Sequence, residues 1–300
     1  MARKVISTAD LATDGNMPLA HCLARLGFSG YEIQIERALQ KCDAAMPLTS
    51  RQVLVEVLTA IIDTRDAQKA AMRTKMARFP VQTQTLETFD FSRLTDKLCL
   101  LYTSDAAEAK IRELASCDWV RCHSNLYFHG SPGLGKTHLS IALGIRATQQ
   151  AYSTLFIAAK DLFAALNTAL RSGTYESKLN AIQRNEVLII DDLSNAVVPR
   201  PENAMIFYDL LDGRQGRKST VITSNREMID WIKVLGGDKT CMRAAMDRFL
   251  DNCHDFQLQG KSYRLTRFLE QRRKDWGPQG SGTDSNGHRD TVGELAEILE

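Results

Sequence analysis

Three hundred residues with 44% hydrophobic content can bury a full core and leave room for one large domain plus a smaller one. A net charge of +2 is too small to mark the chain as a nucleic-acid binder by itself, so any such role depends on how the charge is distributed. Seven cysteines without a C-x-x-C pair argue against a zinc or dithiol redox class, and no signal peptide or apolar run near the ~18 residues of a membrane span is present.

The first strong element is helical. Thr49-x-x-Gln52 is a capping box ahead of an apolar run, in which Leu54, Val57, Leu58, Ile61 and Ile62 share one face. Arg65, Lys69 and Arg73 then recur every four residues, Lys75 and Arg78 extend the stripe, and Phe79-Pro80 ends the helix. The stripe has two readings, a solvated face or a contact to DNA phosphates that needs charge and no base readout. Further on, Cys99 to Glu108 reads CLLYTSDAAE, which looks like the translation of a transposase-type sequencing adapter. It is expected to be an artefactual insertion and is assigned no function; if genuine, it would be an exposed loop or a helix extension. Cys117, Cys122 and His123 cluster loosely and are read as ordinary thiols and a histidine rather than a metal site.

An apolar strand, Asn125 to His129, runs into Gly130-Ser131-Pro132-Gly133-Leu134-Gly135-Lys136-Thr137. The spacing G-x-x-x-x-G-K-[ST] is that of a loop holding nucleoside triphosphate by its phosphates. Its glycines let successive N–H groups point at phosphate oxygens, Lys136 adds a point charge, and the Thr137 hydroxyl ligates Mg²⁺. A helix from Lys136 to about Gln150 turns its positive end to the same anion. A strand near 153–158 precedes a helix whose stripe, Leu162, Phe163 and Leu166, is core. Val187-Leu188-Ile189-Ile190-Asp191-Asp192 then reads as a buried parallel strand ending in carboxylates, where open α/β sheets bind ligands. Asp191 is the natural Mg²⁺-side ligand and Asp192 is placed to polarise the attacking water. Ile206, Phe207, Leu210 and Leu211 form another core stripe. The strand Thr220 to Thr223 exits through Ser224-Asn225-Arg226. Asn225 either orients the hydrolytic water or caps a helix beginning near Glu227. After a strand near 254–258, Arg264, Arg267, Arg272, Arg273 and Lys274 form a second basic cluster. Residues 277–287 are rich in Gly, Ser, Asn and Asp and are expected to be disordered; Glu294 to Glu300 reads as a frayed tail or a short acidic helix.

The order of GSPGLGKTHLSIALG, VLIIDDLS, STVITSNRE, MDRFLDN and GKSYRL, with ARFPVQTQTLETFDFS upstream, resembles the IstB-like branch of AAA+ ATPases, relatives of the DnaC helicase loaders. The resemblance covers roughly Leu23 to Phe268. It implies an α/β fold, a P-loop NTPase sheet flanked by helices with a small all-helical N-terminal domain. The expected layout is residues 1–88 for that domain, 89–268 for the ATPase and 269–300 for a polar tail. His138 belongs to the signature around the nucleotide. Asn225 matches sensor 1, and Arg248 matches the arginine finger donated to a neighbour's nucleotide, with Arg243 as a second candidate. One departure is that the acidic strand ends in Asp-Asp where Asp-Glu is common.

The implied function is ATP-dependent help to DNA transposition. ATP and Mg²⁺ are the cofactors, a homo-oligomer on DNA is the acting form, and a DDE-type transposase encoded alongside is the partner. DNA is contacted largely without sequence preference, and the setting is cytoplasmic with no membrane partner. The alternatives are a DnaC-like replicative helicase loader and a non-hydrolysing, nucleotide-gated DNA-binding module.

Overall fold

Val187-Leu188-Ile189-Ile190 is an unbroken apolar run, and such a run is stable as a strand when both of its faces are covered. In the computed structural model it is β3, the second strand of a five-stranded parallel sheet in the order β2-β3-β4-β1-β5. The structure describes residues 19–44, 49–93, 104–194, 197–260 and 262–276. They fall into two compact units, Met1–Ala70 and Ala71–Glu300.

The first unit contains α1 (Leu19–Arg25), α2 (Glu32–Ala44) and most of α3 (Ser50–Met76). Leu23, Ile35 and Ile61 are its buried centre, with Phe28, Tyr31, Leu39 and Val57 packed around them. The capping box at the start of α3 is formed. The Thr49 amide donates to Gln52 Oε1 at 2.8 Å, and the Gln52 amide donates back to Thr49 Oγ1 at 3.4 Å. The apolar face of this helix divides in two. Val57 and Ile61 turn into the small core, whereas Leu54, Leu58 and Ile62 are exposed. A helix offers one seam to a two-helix partner, and the expected face is wider than that seam.

The second unit holds the sheet, with β1 (Asn125–Gly130), β2 (Thr154–Ala158), β3 (Val187–Asp191), β4 (Ser219–Ser224) and β5 (Cys253–Leu258). Around it lie α4 (Ser104–Glu113), α5 (Asp118–Arg121), α6 (Lys136–Gln149), α7 (Ala159–Arg171) and α8 (Tyr175–Gln183). The chain continues through α9 (Glu202–Asp212), α10 (Trp231–Leu235), α11 (Lys239–Leu250) and α12 (Tyr263–Trp276). Alternate strand residues feed opposite cores, as the period of two requires. Leu126, Phe128, Val187, Ile189 and Val221 pack with α6, Trp119 and Ile111 on one face. Tyr127, Leu188, Ile190 and Ile222 pack with α7, α9 and Trp231 on the other.

Residues just after α3 belong to this unit. Ala77, Phe79 and Leu86 are buried in the core beneath β1. The Phe156 amide donates to the Ala77 carbonyl at 2.8 Å, so the segment runs along the edge strand β2. Residues 71–88 fall within the second unit, where Ala77, Phe79 and Leu86 join its core. Arg214 is 1% exposed and satisfies the ends of two strands at once. It donates to the carbonyls of Gln183, Asn185, Glu186 and Ser219 and to Thr220 Oγ1. Within the doubtful decapeptide, residues 99–103 lie outside the described residues, while 104–108 form the first turns of α4. The tail from residue 277 also lies outside them.

Candidate functional site

The phosphate-type loop leaves β1 at Gly130, whose φ of +134° suits glycine alone. A Cβ there would collide with the Leu258 carbonyl oxygen on β5. Close approach of two backbones at the mouth of the sheet is what this glycine permits. Gly133, at φ +82°, is backed by Ser262, whose Oγ occupies the space a Cβ would need. The Tyr263 amide donates to the Gly133 carbonyl at 3.0 Å, so the start of α12 rests on the loop.

Lys136 is 7% exposed, and its Nζ donates to the carbonyls of Gly130 and Ser131, each at 2.7 Å. Burial pushes its ammonium down to about 8; Asp192 and Asp191 oppose that, and Arg264 adds to it. Thr137 Oγ1 donates to Asp191 Oδ1 at 2.8 Å. Asp191 is raised above the ordinary carboxylate range by burial, and the hydroxyls of Thr223 and Thr137 hold it back. The motif on β1–α6 and the acidic end of β3 are thus joined in one hydrogen-bonded group, as the sequence leads one to expect. Thr137 and Asp191 present hydroxyl and carboxylate oxygens side by side, a hard donor set suited to Mg²⁺. The open loop backbone around Gly130, Gly133 and Gly135, all at positive φ, suits a polyphosphate.

Asp192 has a φ of +57°, in the left-handed region that a non-glycine residue adopts at a cost. Asn225 Nδ2 donates to Asp192 Oδ1 at 3.3 Å. Of the two readings of Asn225, capping fails. The helical turn after it, Met228–Asp230, has Glu227 at its N-cap and no side-chain cap bond. A cleft of 560 Å³ opens beside this group, lined by Gly130, Ser131, Pro132, Asn225, Glu227 and Gln257 among others. His129, buried at the end of β1, stacks on Tyr127 at 4.5 Å. Its Nε2 lies 3.0 Å from Asp255 Oδ1 on β5, and its Nδ1 lies 3.4 Å from Glu227 Oε1, past the end of β4.

His138 sits one turn into the site side of α6. Its Nε2 is 2.8 Å from the Thr85 carbonyl and 3.3 Å from Thr88 Oγ1, and its ring meets Phe89 edge-on at 5.3 Å. Phe89 in turn covers Gly135.

Arg248 is bonded elsewhere. Its Nε donates to Asp212 Oδ1 at 2.7 Å, one terminal nitrogen to Tyr208 Oη at 2.7 Å and the other to the Ala244 carbonyl at 3.1 Å. The guanidinium also stacks over the Tyr208 ring at 4.3 Å. Arg243 is exposed on the same helix. The basic stripe on α3 is partly engaged locally. Arg65 lies over Phe28 and Tyr31 at 5.2 and 5.9 Å, and Lys69 is 3.8 Å from Asp66. Lys75 and Arg78 are exposed, and Arg73 is half-buried. Of the second basic cluster, Arg264 and Arg267 are exposed, and the side chains of Arg272, Arg273 and Lys274 lie outside the described residues.

The roles of two residues escape a sequence reading. Thr223 donates to Asp191 Oδ1 at 2.7 Å and accepts the Asp192 amide at 2.9 Å. Arg264 lies near enough to Lys136 to depress its pKa. A threonine in a β-branched strand and an arginine in a basic run carry no local signal of either role.

The family model described as IstB-like ATP binding protein matches residues 23–271. A protein of insertion sequence IS5376 from Geobacillus stearothermophilus, named for ATP binding, is 32% identical over 226 residues, 75% of this chain and 85% of that one. A protein of insertion sequence IS21 from Pseudomonas aeruginosa, likewise named for ATP binding, is 32% identical over 243 residues, 81% of this chain and 87% of that one. Among solved structures, a DnaI crystal structure is similar with a TM-score of 0.44 and 25% identity, covering 56% of this chain and 93% of that one.

Proposed function

The chain belongs to the family of IstB-like ATP binding proteins, and on that premise we propose that it is an ATP-hydrolysing helper of DNA transposition, oligomeric on DNA and acting on a partner transposase. The observation that carries the reading is the convergence at one sheet end of Lys136, the Thr137–Asp191 pair and the Asp192–Asn225 pair.

The loop amides from Gly130 onward cradle the phosphates, and the Lys136 ammonium exchanges its two carbonyl partners for phosphate oxygens. Thr137 and Asp191 would hold Mg²⁺. When bound, Mg·ATP supplies the bond to be cleaved and the metal charge that offsets the negative charge building on the transferred group. Asp192 takes the proton of the attacking water, and Asn225, bonded to that carboxylate, orients both. A further cation is needed at the transferring group, and Arg248 of an adjacent subunit fills that role, so turnover depends on assembly. The exposed basic residues of α3 meet the phosphate backbone, with little sequence preference. The relatives are named as insertion-sequence proteins, which supports a transposase as the partner. Among the described residues no helix is long and apolar enough to cross a membrane.

Turnover in the presence of duplex DNA tests the reading. Wild type should hydrolyse ATP. Asp192→Asn should still bind ATP with turnover reduced about 100-fold or more, as loss of a general base does. Lys136→Ala should lose tight binding. A wild-type rate no higher than that of both variants would reject hydrolysis and leave a nucleotide-gated binder.

A further inference from the structure

Thr223 stands between the two carboxylates that the proposed chemistry uses, and its hydroxyl serves both. It donates to Asp191 Oδ1 at 2.7 Å and accepts the Asp192 amide at 2.9 Å, from a side chain on a residue only 1% exposed. The backbone explains why a side chain must do this. The β3–β4 ladder ends at the pair Ile190 and Ile222. Past that pair Asp192 turns left-handed, at φ +57°, and its amide donates to a side chain instead of a strand carbonyl. Thr223 Oγ1 supplies the acceptor. Pairing resumes one residue later, where the Leu193 amide donates to the Thr223 carbonyl at 2.8 Å and Ser224 Oγ donates to the Leu193 carbonyl at 2.6 Å.

We infer that Thr223 is a positioning residue for the nucleotide site, fixing the rotamer of Asp191 and the left-handed turn at Asp192 so that one carboxylate faces the metal position and the next faces the water position. This rests on the function proposed above. Thr137 donates to the same Asp191 oxygen, at 2.8 Å, but its hydroxyl is also required at the metal position. Thr223 has no such second duty, so it is the fixed anchor of the pair. Asn225 follows directly after β4, two residues past Thr223, so the end of one strand supplies partners to both carboxylates at the end of β3. Removing the hydroxyl leaves the part-buried Asp192 amide without its partner and leaves Asp191 Oδ1 held by Thr137 alone.

Thr223→Val tests this, because valine keeps the shape and strand preference and deletes only the hydroxyl; Thr223→Ser restores the hydroxyl without the methyl. For wild type and both variants, ATP affinity is measured with EDTA and with Mg²⁺, alongside steady-state turnover. The valine variant should bind ATP in EDTA within about twofold of wild type, keeping fold and loop intact. It should lose about tenfold or more of the Mg²⁺-dependent gain in affinity and of kcat, the scale of a lost hydrogen bond to a charged group. The serine variant should recover both to within about threefold. A valine variant that matches wild type in Mg²⁺ response and kcat overturns the inference, as does a serine variant as impaired as valine. A valine variant weakened equally with EDTA and with Mg²⁺ overturns it too, since that marks a loss of packing. The two readings fail separately. A wild type that gains affinity with Mg²⁺ but does not turn over sinks hydrolysis, and the Mg²⁺ response of the variants still decides Thr223. A wild type that binds no ATP under either condition overturns both.

Discussion

Lys136 shows what the site requires of a single residue. Its charge is held among backbone carbonyls in a buried position, which lowers its pKa to about 8. Phosphates reward the charged form, so ATP binding and proton binding at Lys136 favour one another. The sign is set by that depression. Below about pH 8 the lysine is already charged and affinity carries no proton penalty; above it, each binding event must also take up a proton. ATP affinity titrated from pH 7.5 to 9.5 is therefore expected to fall by up to ~tenfold per unit above about pH 8. A flat profile would mean either that Lys136 stays charged across that range or that its charge does not couple to the phosphates. The loop residues were legible one by one, because each has a job defined by its neighbours in sequence. Thr223 was not, since both of its partners lie on another strand.

At the scale of elements, the strands are predictable from apolar runs, and β1 to β5 fall within a residue or two of the expected segments. Helix α3 is harder to read. Its capping box forms as written, yet only Val57 and Ile61 of its apolar face are packed, and Leu54, Leu58 and Ile62 face solvent. Periodicity reports that a face exists and not how much of it a neighbour covers. The basic stripe further along keeps Lys69 exposed beside Asp66, a surface pair of little strength. If the stripe meets DNA, charge reversal at Lys69 and Arg73 should weaken DNA binding and lower the slope of log affinity against log salt by about 0.9 for each phosphate no longer neutralised. An unchanged slope would make the stripe a solvated face.

For the whole molecule, the proposed catalytic cycle needs more than one copy. Arg248 in an isolated subunit is occupied by Asp212, Tyr208 and Ala244, and it touches none of the residues around the loop of its own chain. To serve as a finger, Arg248 would have to exchange these partners for a neighbour's nucleotide. Arg248→Ala should keep ATP binding while losing DNA-stimulated turnover. Mixing it with Lys136→Ala should restore part of the activity, because one variant contributes an intact loop and the other an intact finger. No recovery on mixing, with both variants folded and co-assembled, would mean that the finger does not act in trans.

Chemistry written in consecutive residues needed no structure: the loop from Gly130 to Thr137, the acidic end at Asp191 and Asp192, and the family to which they belong. Such motifs work through local backbone geometry, so their meaning travels with the sequence. The strand order could not be read that way. By placing β4 between β1 and β3, the fold sets Thr223 and Asn225 beside Asp191 and Asp192, and it brings Ser262 to Arg264 from the far end of the unit back onto the loop. Which strands become neighbours is settled by how both faces of the sheet are buried, a property of the packed molecule that no single stretch of chain contains.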